Sequence, residues 1–345
     1  MKKKYKVVIS EGKRPSMYLK HIENIKKEIF GEDFEVILAK DLEEETLIEK
    51  IVDADSLIIR PGMMFTSKSI KKLKQCQCIV SLAVGYDHID IDCASKQKIK
   101  VCNVPDYGCE EVADTAIALL LNAVRKIGFY NTVLKENICK WDWQVGIPMH
   151  RLRSQKLGII GLGRIGSAVA VRAKAFGMDV CYFDPYKECG YDKSLGISRI
   201  EAIEDLLSSS DIITIHTPLN EETKGMVNRS FIEKMKRGAI LLNTARGAIF
   251  DSLDTIYFSL QNEILSFVAT DVLPIEPPID GKHLLLESWS TASSLFDQRL
   301  VITPHMAFYS EEASYELCCK AAVAARNSVL GKRVDNIINS DKFLY

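Results

Sequence analysis

The sequence predicts an α/β protein made of two doubly wound parallel-sheet domains with a cleft between them. Three observations lead there. Short runs rich in Val and Ile alternate with helix-period segments over the first hundred residues, and the alternation starts afresh near residue 156. The runs are apolar throughout, as suits strands covered on both faces. A chain of 345 residues is long enough for about two domains, and 47% hydrophobic residues is ample for two cores.

In the first domain the candidate strands are Tyr5–Ile9, Phe34–Leu38, Ser56–Ile59, Cys78–Leu82 and Lys100–Asn103. Helical segments fall between them, at about Met17–Phe30, Leu42–Val52, Ser67–Lys74 and Asp90–Lys98. The turn-rich stretch Asn103-Val-Pro-Asp-Tyr-Gly108 leads into a helix from about Glu110 to Lys126. Ala and Leu cover most of its faces, which predicts burial between domains or between subunits. An irregular segment with two tryptophans, Trp141 and Trp143, precedes residue 156. It reads equally as a subunit interface or as an arm packed on its own domain.

The second domain offers strands at Lys156–Ile160, Asp179–Phe183, Ser210–His216, Ala239–Asn243, Ser266–Thr270 and Leu300–Thr303. Its helices are expected at Arg164–Phe176, Glu201–Ser208, Ser230–Lys236 and Leu253–Asn262. Pro274, Pro277 and Pro278 predict a long loop from Pro274 to Asp297 with no regular element. A closing helix follows at about Glu311–Leu330.

Composition narrows the function classes. The net charge is −1, so nothing points to nucleic acid or to an acidic membrane surface. No stretch approaches the roughly eighteen apolar residues of a membrane span. The run after the basic start is too short for a secretion signal and reads as a first strand. A cytoplasmic protein is expected. The ten cysteines form no C-x-x-C and no cluster with histidine, so neither a metal site nor a disulfide framework is expected. Cys78, Cys102 and Cys181 read as small buried hydrophobes.

The second domain opens on Gly161-Leu-Gly-Arg-Ile-Gly166, between a strand and a helix that begins at Arg164 and Ile165. In that setting Gly161 permits a sharp turn and Gly163 lets backbone amides approach a pyrophosphate. Gly166 lets the helix lie close on the sheet, and the helix start faces the phosphates with unpaired amides. The next strand ends on Asp184, about eighteen residues past the last glycine, where a carboxylate meets an adenosine ribose. Its charge would repel a 2′-phosphate, so NAD is expected rather than NADP.

In an open α/β sheet, ligands sit beyond the carboxyl ends of the strands. The Gly loop, Asp184, His216, Arg246 and His305 all stand there. The fixed guanidinium of Arg246 suits a carboxylate or a polarised carbonyl oxygen. His305 follows Pro304, and Glu276 lies in a proline-stiffened loop. A carboxylate bonded to an imidazole sets its tautomer and makes it a usable proton donor near neutral pH. His216 reads as a strand-end residue near the cofactor, with a structural role at least as well supported.

Four stretches together, Gly161-Leu-Gly-Arg-Ile-Gly166, Asn243-Thr-Ala-Arg-Gly247, Asp271-Val-Leu-Pro-Ile-Glu-Pro277 and Thr303-Pro-His305, resemble the D-isomer-specific 2-hydroxyacid dehydrogenases. Tyr107–Asp114 and Pro304–Glu312 are most similar to the subgroup of the C-terminal-binding-protein corepressors and their phosphoglycerate-dehydrogenase-like relatives. The resemblance implies a flavodoxin-like substrate domain, residues 1–104 and 331–345, and a Rossmann NAD domain, residues 105–330. It implies hydride transfer between NADH and a small 2-keto acid, with Arg246 on the substrate, His305 as general acid and Glu276 as its partner. Backbone amides of Val84 and Gly85, with Arg60, would hold the substrate from the first domain. Thr217, Pro218, Thr244, Ala245 and Asp271 would line the cofactor, and a homodimer would form through residues 104–150. Phe308 stands where the corepressor relatives carry a Trp over the substrate pocket, which leaves their substrate preference open for this chain. The other readings within the resemblance are an NAD-responsive binding protein and a 3-phosphoglycerate dehydrogenase. Intact Arg246, Glu276 and His305 favour an enzyme, since a pure sensor needs no paired proton donor.

Overall fold

The structure, a computed structural model, describes residues 4–10, 19–40, 43–278, 281–291, 296 and 299–340. The chain divides into two compact units, Met1–Gly108 with Tyr309–Tyr345, and Cys109–Phe308. Every strand pairing between the named strands of either sheet is parallel.

The first unit holds β1 (Tyr5–Ser10), β2 (Phe34–Ala39), β3 (Ser56–Ile59), β4 (Cys78–Ser81) and β5 (Lys100–Cys102). Their order is β2-β1-β3-β4-β5, the flavodoxin-like winding. β3 and β4 are buried at every residue, so both faces of the sheet must be covered. Leu47 and Ile51 from the helix Glu44–Ile51 join Val8, Leu57, Ile59, Ile79 and Val101 in one core. Each such side chain contributes about 1.5–3 kcal/mol by leaving water. The chain end returns to this sheet: Ile338 donates its amide to the Val101 carbonyl at 2.8 Å, and the Asn339 amide oxygen accepts from the Val101 amide at 2.9 Å.

The closing helix, Glu311–Val329, packs on β3 and β4, and so belongs to this unit rather than to the cofactor domain. Leu317, Ala321, Ala322, Ala325 and Val329 form the buried stripe that requires the first sheet as its partner. The expected domain boundaries therefore move from 104/105 and 330/331 to 108/109 and 308/309.

The second unit holds β6 (Lys156–Ile160), β7 (Asp179–Phe183), β8 (Ser198–Arg199), β9 (Ile212–Ile215), β10 (Ala239–Asn243), β11 (Leu265–Thr270) and β12 (Leu300–Ile302). Their order is β12-β11-β10-β9-β6-β7-β8. The winding direction reverses between β6 and β9, and that switch point is where an open α/β sheet receives its ligand. Helix Cys109–Arg125 packs on helix Arg164–Ala175 and on β10 and β11. Ala113, Ala116, Ile117, Leu119, Leu120, Ala123 and Val124 of this helix join the core of the second unit.

Several elements are absent from the sequence reading, β8 and a short helix at Tyr191–Leu195 among them. Lys126, at φ +51°, turns the chain out of the first helix, and a second helix, Ile127–Glu136, follows. Tyr130 donates its hydroxyl to the Trp143 carbonyl at 2.6 Å, and Lys126 Nζ donates to the Gly146 carbonyl at 2.7 Å. These two bonds tie the tryptophan arm to that helix. Within the stretch expected to be a bare loop, Leu284–Ser290 is helical. The three prolines lie upstream of it, the His283 ring caps its start through the Leu285 amide at 3.1 Å, and Leu285 and Leu286 bury its inner face. Asp297, the far end of that expected loop, lies outside the described residues.

Candidate active site

β6 ends at Ile160, and the three loop glycines differ in what they permit. Gly161 has φ +90°, and a Cβ there would lie 2.8 Å from the His216 carbonyl oxygen. A Cβ at Gly166 would run into the Gly161 carbonyl, so the helix start can approach the strand only with glycine there. A Cβ at Gly163 would meet nothing within 4 Å, so this glycine faces open space. Gly163 is also the N-cap of the helix Arg164–Ala175, and the first amides of that helix, including Ile165, have no carbonyl one turn back. An open approach, free amides and a helix N-terminus fit a pyrophosphate.

Asp184 follows β7 and is locked against this loop. Its carboxylate accepts from the Leu162 amide at 2.8 Å and from the Tyr186 amide at 3.0 Å. Each oxygen keeps a lone pair for a ribose hydroxyl. The nearby cations are engaged elsewhere: Lys187 Nζ lies 4.8 Å from the centre of the Tyr191 ring, and Arg199 Nε lies 3.1 Å from Glu201. Neither of these two cations is set to receive a 2′-phosphate. Turnover with NADH is therefore expected to exceed that with NADPH by at least about tenfold in kcat/KM; equal values for the two cofactors would refute the ribose assignment.

His216 stands just past β9. Its Nε2 is 2.9 Å from the Thr214 hydroxyl, while Nδ1 is buried with no partner among the described residues. The residue keeps some surface exposure, but burial of the ring pushes its pKa down to about 3. It is therefore neutral at physiological pH and is not the proton donor. Stability should depend on it in one direction. Above pH 6.5 the ring is neutral folded or unfolded; as pH falls from there toward 3, only the unfolded chain takes up the proton, so stability is lost across that window. His216→Gln should therefore reduce the stability lost between pH 7.5 and 4.5 by about 2 kcal/mol in denaturant titrations. An unchanged pH slope would contradict this.

The Thr217 and Thr244 hydroxyls are also buried without a partner among the described residues. Orphaned buried donors are uncommon, and these stand at the carboxyl ends of β9 and β10, where a cofactor would satisfy them. Pro218 is exposed, and its carbonyl accepts from the Thr223 hydroxyl at 2.6 Å. The residues present thus fit a dinucleotide.

Arg246 follows β10 in a turn shaped by Asn243, a residue the sequence reading did not single out. The fully buried Asn243 side chain accepts from the Ala245 amide at 2.9 Å and donates to the Arg246 carbonyl at 3.0 Å. Arg246 Nη1 donates to the Ala245 carbonyl at 2.8 Å. Gly247 lies so close to Leu273 that a Cβ would overlap its carbonyl. The Arg246 turn therefore sits directly on the loop that carries Glu276.

Glu276 uses one carboxylate oxygen to accept from the Leu273 amide at 2.7 Å and turns the other to His305 Nδ1 at 2.6 Å. Both side chains remain part-exposed, 33% and 42%. Since Nδ1 faces the carboxylate, Nε2 is the nitrogen left to exchange a proton with a substrate. His305 has φ +52°, a left-handed conformation uncommon for a side-chain-bearing residue. Asp271 accounts for it. Its buried carboxylate accepts from the Thr303 hydroxyl at 2.5 Å and from the Met306 and Ala307 amides at 2.9 Å, while its carbonyl accepts from the His305 amide at 2.8 Å. Asp271 thus spends its carboxylate on building the turn that presents His305. Phe308 lies edge-on to the imidazole, with ring centres 6.1 Å apart.

In the first unit, Ser81 donates its hydroxyl to the Gly85 carbonyl at 2.6 Å and Asn103 donates to the Val84 carbonyl at 2.7 Å. These bonds hold the loop by its carbonyls. Arg60 anchors its own amide on the Ser10 hydroxyl at 2.9 Å, and its Nη1 is buried with no partner among the described residues.

The second unit thus carries an imidazole–carboxylate pair and an arginine turn beyond the strand ends of a Rossmann sheet. Comparison with known proteins identifies the family. The family described as D-isomer specific 2-hydroxyacid dehydrogenase, NAD binding domain, matches residues 117–307. The chain is 35% identical over 313 residues to a D-3-phosphoglycerate dehydrogenase of Methanocaldococcus jannaschii, covering 90% of this chain and 56% of that protein. It is 35% identical over 286 residues to the Bacillus subtilis D-3-phosphoglycerate dehydrogenase, covering 83% and 51%. The chain thus spans about half the length of these curated relatives. Among solved structures, D-lactate dehydrogenase of Aquifex aeolicus, complexed with NAD and lactic acid, superposes with a TM-score of 0.78 at 27% identity, covering 94% of this chain and 96% of that one. This protein belongs to the D-isomer-specific 2-hydroxyacid dehydrogenase family, and its second unit is the NAD-binding domain of that family.

Proposed function

We propose that the protein is an NAD-dependent D-2-hydroxyacid dehydrogenase acting on a small 2-keto or 2-hydroxy acid. The observation that carries this reading is the His305–Glu276 pair, held at 2.6 Å on a turn built by Asp271. The dinucleotide, when bound, supplies the hydride. Arg246 holds the substrate carboxylate and polarises the keto oxygen; Val84 and Gly85 amides and Arg60 add donors to the carboxylate; Phe308 borders the substituent on C2. His305 Nε2 gives a proton to the keto oxygen in reduction and takes it back in oxidation, while Glu276 stabilises the charged imidazole and fixes its tautomer. The names of the curated relatives support 3-phosphoglycerate as the particular substrate. NADH oxidation with pyruvate, glyoxylate, hydroxypyruvate, phosphohydroxypyruvate and branched and aromatic 2-keto acids tests the reading. It fails if the chain binds NADH and reduces none of them.

The reading includes a homodimer through the arm and helix of residues 104–150. Ile127, Ile138, Trp141, Trp143 and Ile147 are all at least 60% exposed. Apolar side chains exposed together along one tethered arm mark an association surface. Sedimentation should give twice the chain mass, and Trp141→Asp with Trp143→Asp should give the single mass; a monomeric parent would end this part of the reading. The ten cysteines are all free thiols, which supports a cytoplasmic setting.

A further inference from the structure

Tyr186 is anomalous. It is 73% exposed, yet its hydroxyl is held 2.5 Å from a Glu222 carboxylate oxygen, thirty-six positions along the chain. An exposed tyrosine ordinarily samples several rotamers, and pinning its tip fixes an apolar ring in water. Both ends of the link are braced. The Tyr186 amide donates to Asp184 at 3.0 Å. On the other side, the Asn220 side-chain oxygen accepts from the Glu222 and Thr223 amides at 3.0 Å, and the Thr223 hydroxyl returns to the Pro218 carbonyl at 2.6 Å.

Sheet order shows what the link crosses. Tyr186 lies just past β7 and Glu222 in the loop after β9, and between those two strands stands β6, whose carboxyl end carries the Gly loop. A side-chain bond from one flanking loop to the other spans the switch point on the Asp184 side. The phenol donates and the Glu222 carboxylate accepts, and this hydrogen bond is the chief cause that raises the phenol pKa.

We infer that Tyr186 and Glu222 form a clasp over the adenosine end of the dinucleotide site, the phenol ring stacking on the adenine and the Glu222 carboxylate holding the ring in place. The inference rests on the NAD-binding reading and adds to it two residues that make no phosphate or ribose contact. A ring fixed in advance loses no rotamer freedom when the base arrives, so the clasp acts mainly on dinucleotide release. Adenine stacking is sequence-tolerant in the sense that any purine face serves, so AMP alone should feel the clasp, whereas nicotinamide mononucleotide should not.

The test uses the full chain and displacement of bound NADH, read by its fluorescence in stopped flow. Tyr186→Phe keeps the ring and removes the clasp; Tyr186→Ala removes both; Glu222→Ala removes the anchor. Dissociation of NADH should quicken about threefold in Tyr186→Phe and in Glu222→Ala, no further in the double variant, and about tenfold in Tyr186→Ala. AMP should weaken in parallel and nicotinamide mononucleotide should be unaffected. Both residues are exposed, so thermal midpoints should match the parent. If Tyr186→Ala releases NADH and binds AMP as the parent does, or if the two single effects add in full, the clasp is overturned while the NAD reading stands. If the parent chain binds no NADH at all, that reading fails and the clasp fails with it.

Discussion

Replacing His305 with alanine is expected to lower kcat by about three orders of magnitude while leaving NADH affinity within about a factor of two of the parent. The argument starts from geometry. Glu276 occupies Nδ1, so the ring has one nitrogen free, and the left-handed turn holds that nitrogen beyond the end of β12. A keto oxygen that gains a hydride at carbon must gain a proton at oxygen, and water in the emptied space supplies it less readily than a positioned imidazolium. Glu276→Gln keeps the shape but removes the charge that stabilises the imidazolium. It should fall between parent and His305→Ala, and the double variant should be no worse than His305→Ala, since the two act as a unit. Near-parental turnover by His305→Ala in steady-state assays would show that the acid lies elsewhere.

The second large effect is expected at Arg246. Arg246→Ala should lower kcat/KM by about a hundredfold to ten-thousandfold, with losses in both KM and kcat. The ground-state carboxylate loses a charge-assisted fork, and the keto oxygen loses a cation as negative charge develops on it. Arg246→Lys should recover only part, because an ammonium supplies charge without the planar pair of donors. The Asn243 side chain shapes the Arg246 turn through main-chain atoms, so Arg246→Ala should leave the turn and NADH binding intact. A loss confined to KM would mean that Arg246 binds substrate without assisting the chemistry.

Much of this arrangement was legible in the residues. Most strand runs of both sheets are visible because parallel strands covered on both faces are largely apolar, whereas β8, two exposed to half-buried polar residues, leaves no such run; the Gly loop is visible because its three glycines answer three different steric demands. Arg246, Glu276 and His305 stood out as polar residues at strand ends and in a stiffened loop. What was not legible depends on contacts far apart in sequence. The closing helix carries an apolar stripe that fits either sheet, and nothing local says that β3 and β4 are its partners. Helix Leu284–Ser290 was hidden by prolines that lie before it and do not interrupt it. The resemblance places Asp271 beside the cofactor and says nothing of its part in the turn. Only the fold reveals that residues 303–307 come back thirty-two to thirty-six positions later to use its carboxylate. Asn243 and Gly247 act through main-chain shape, which a residue-type pattern does not record.

The most direct test of the account is the chirality of the product when the purified chain is given NADH and the 2-keto acid it reduces fastest. With Arg246 and His305 holding the carboxylate and oxygen, one face of the carbonyl meets the hydride and a single enantiomer forms; membership of the D-isomer-specific family makes the D hydroxy acid the predicted one, its formation falling in step with NADH oxidation in His305→Ala. Formation of the L isomer or a racemate, or D product at an undiminished rate from His305→Ala, would contradict it.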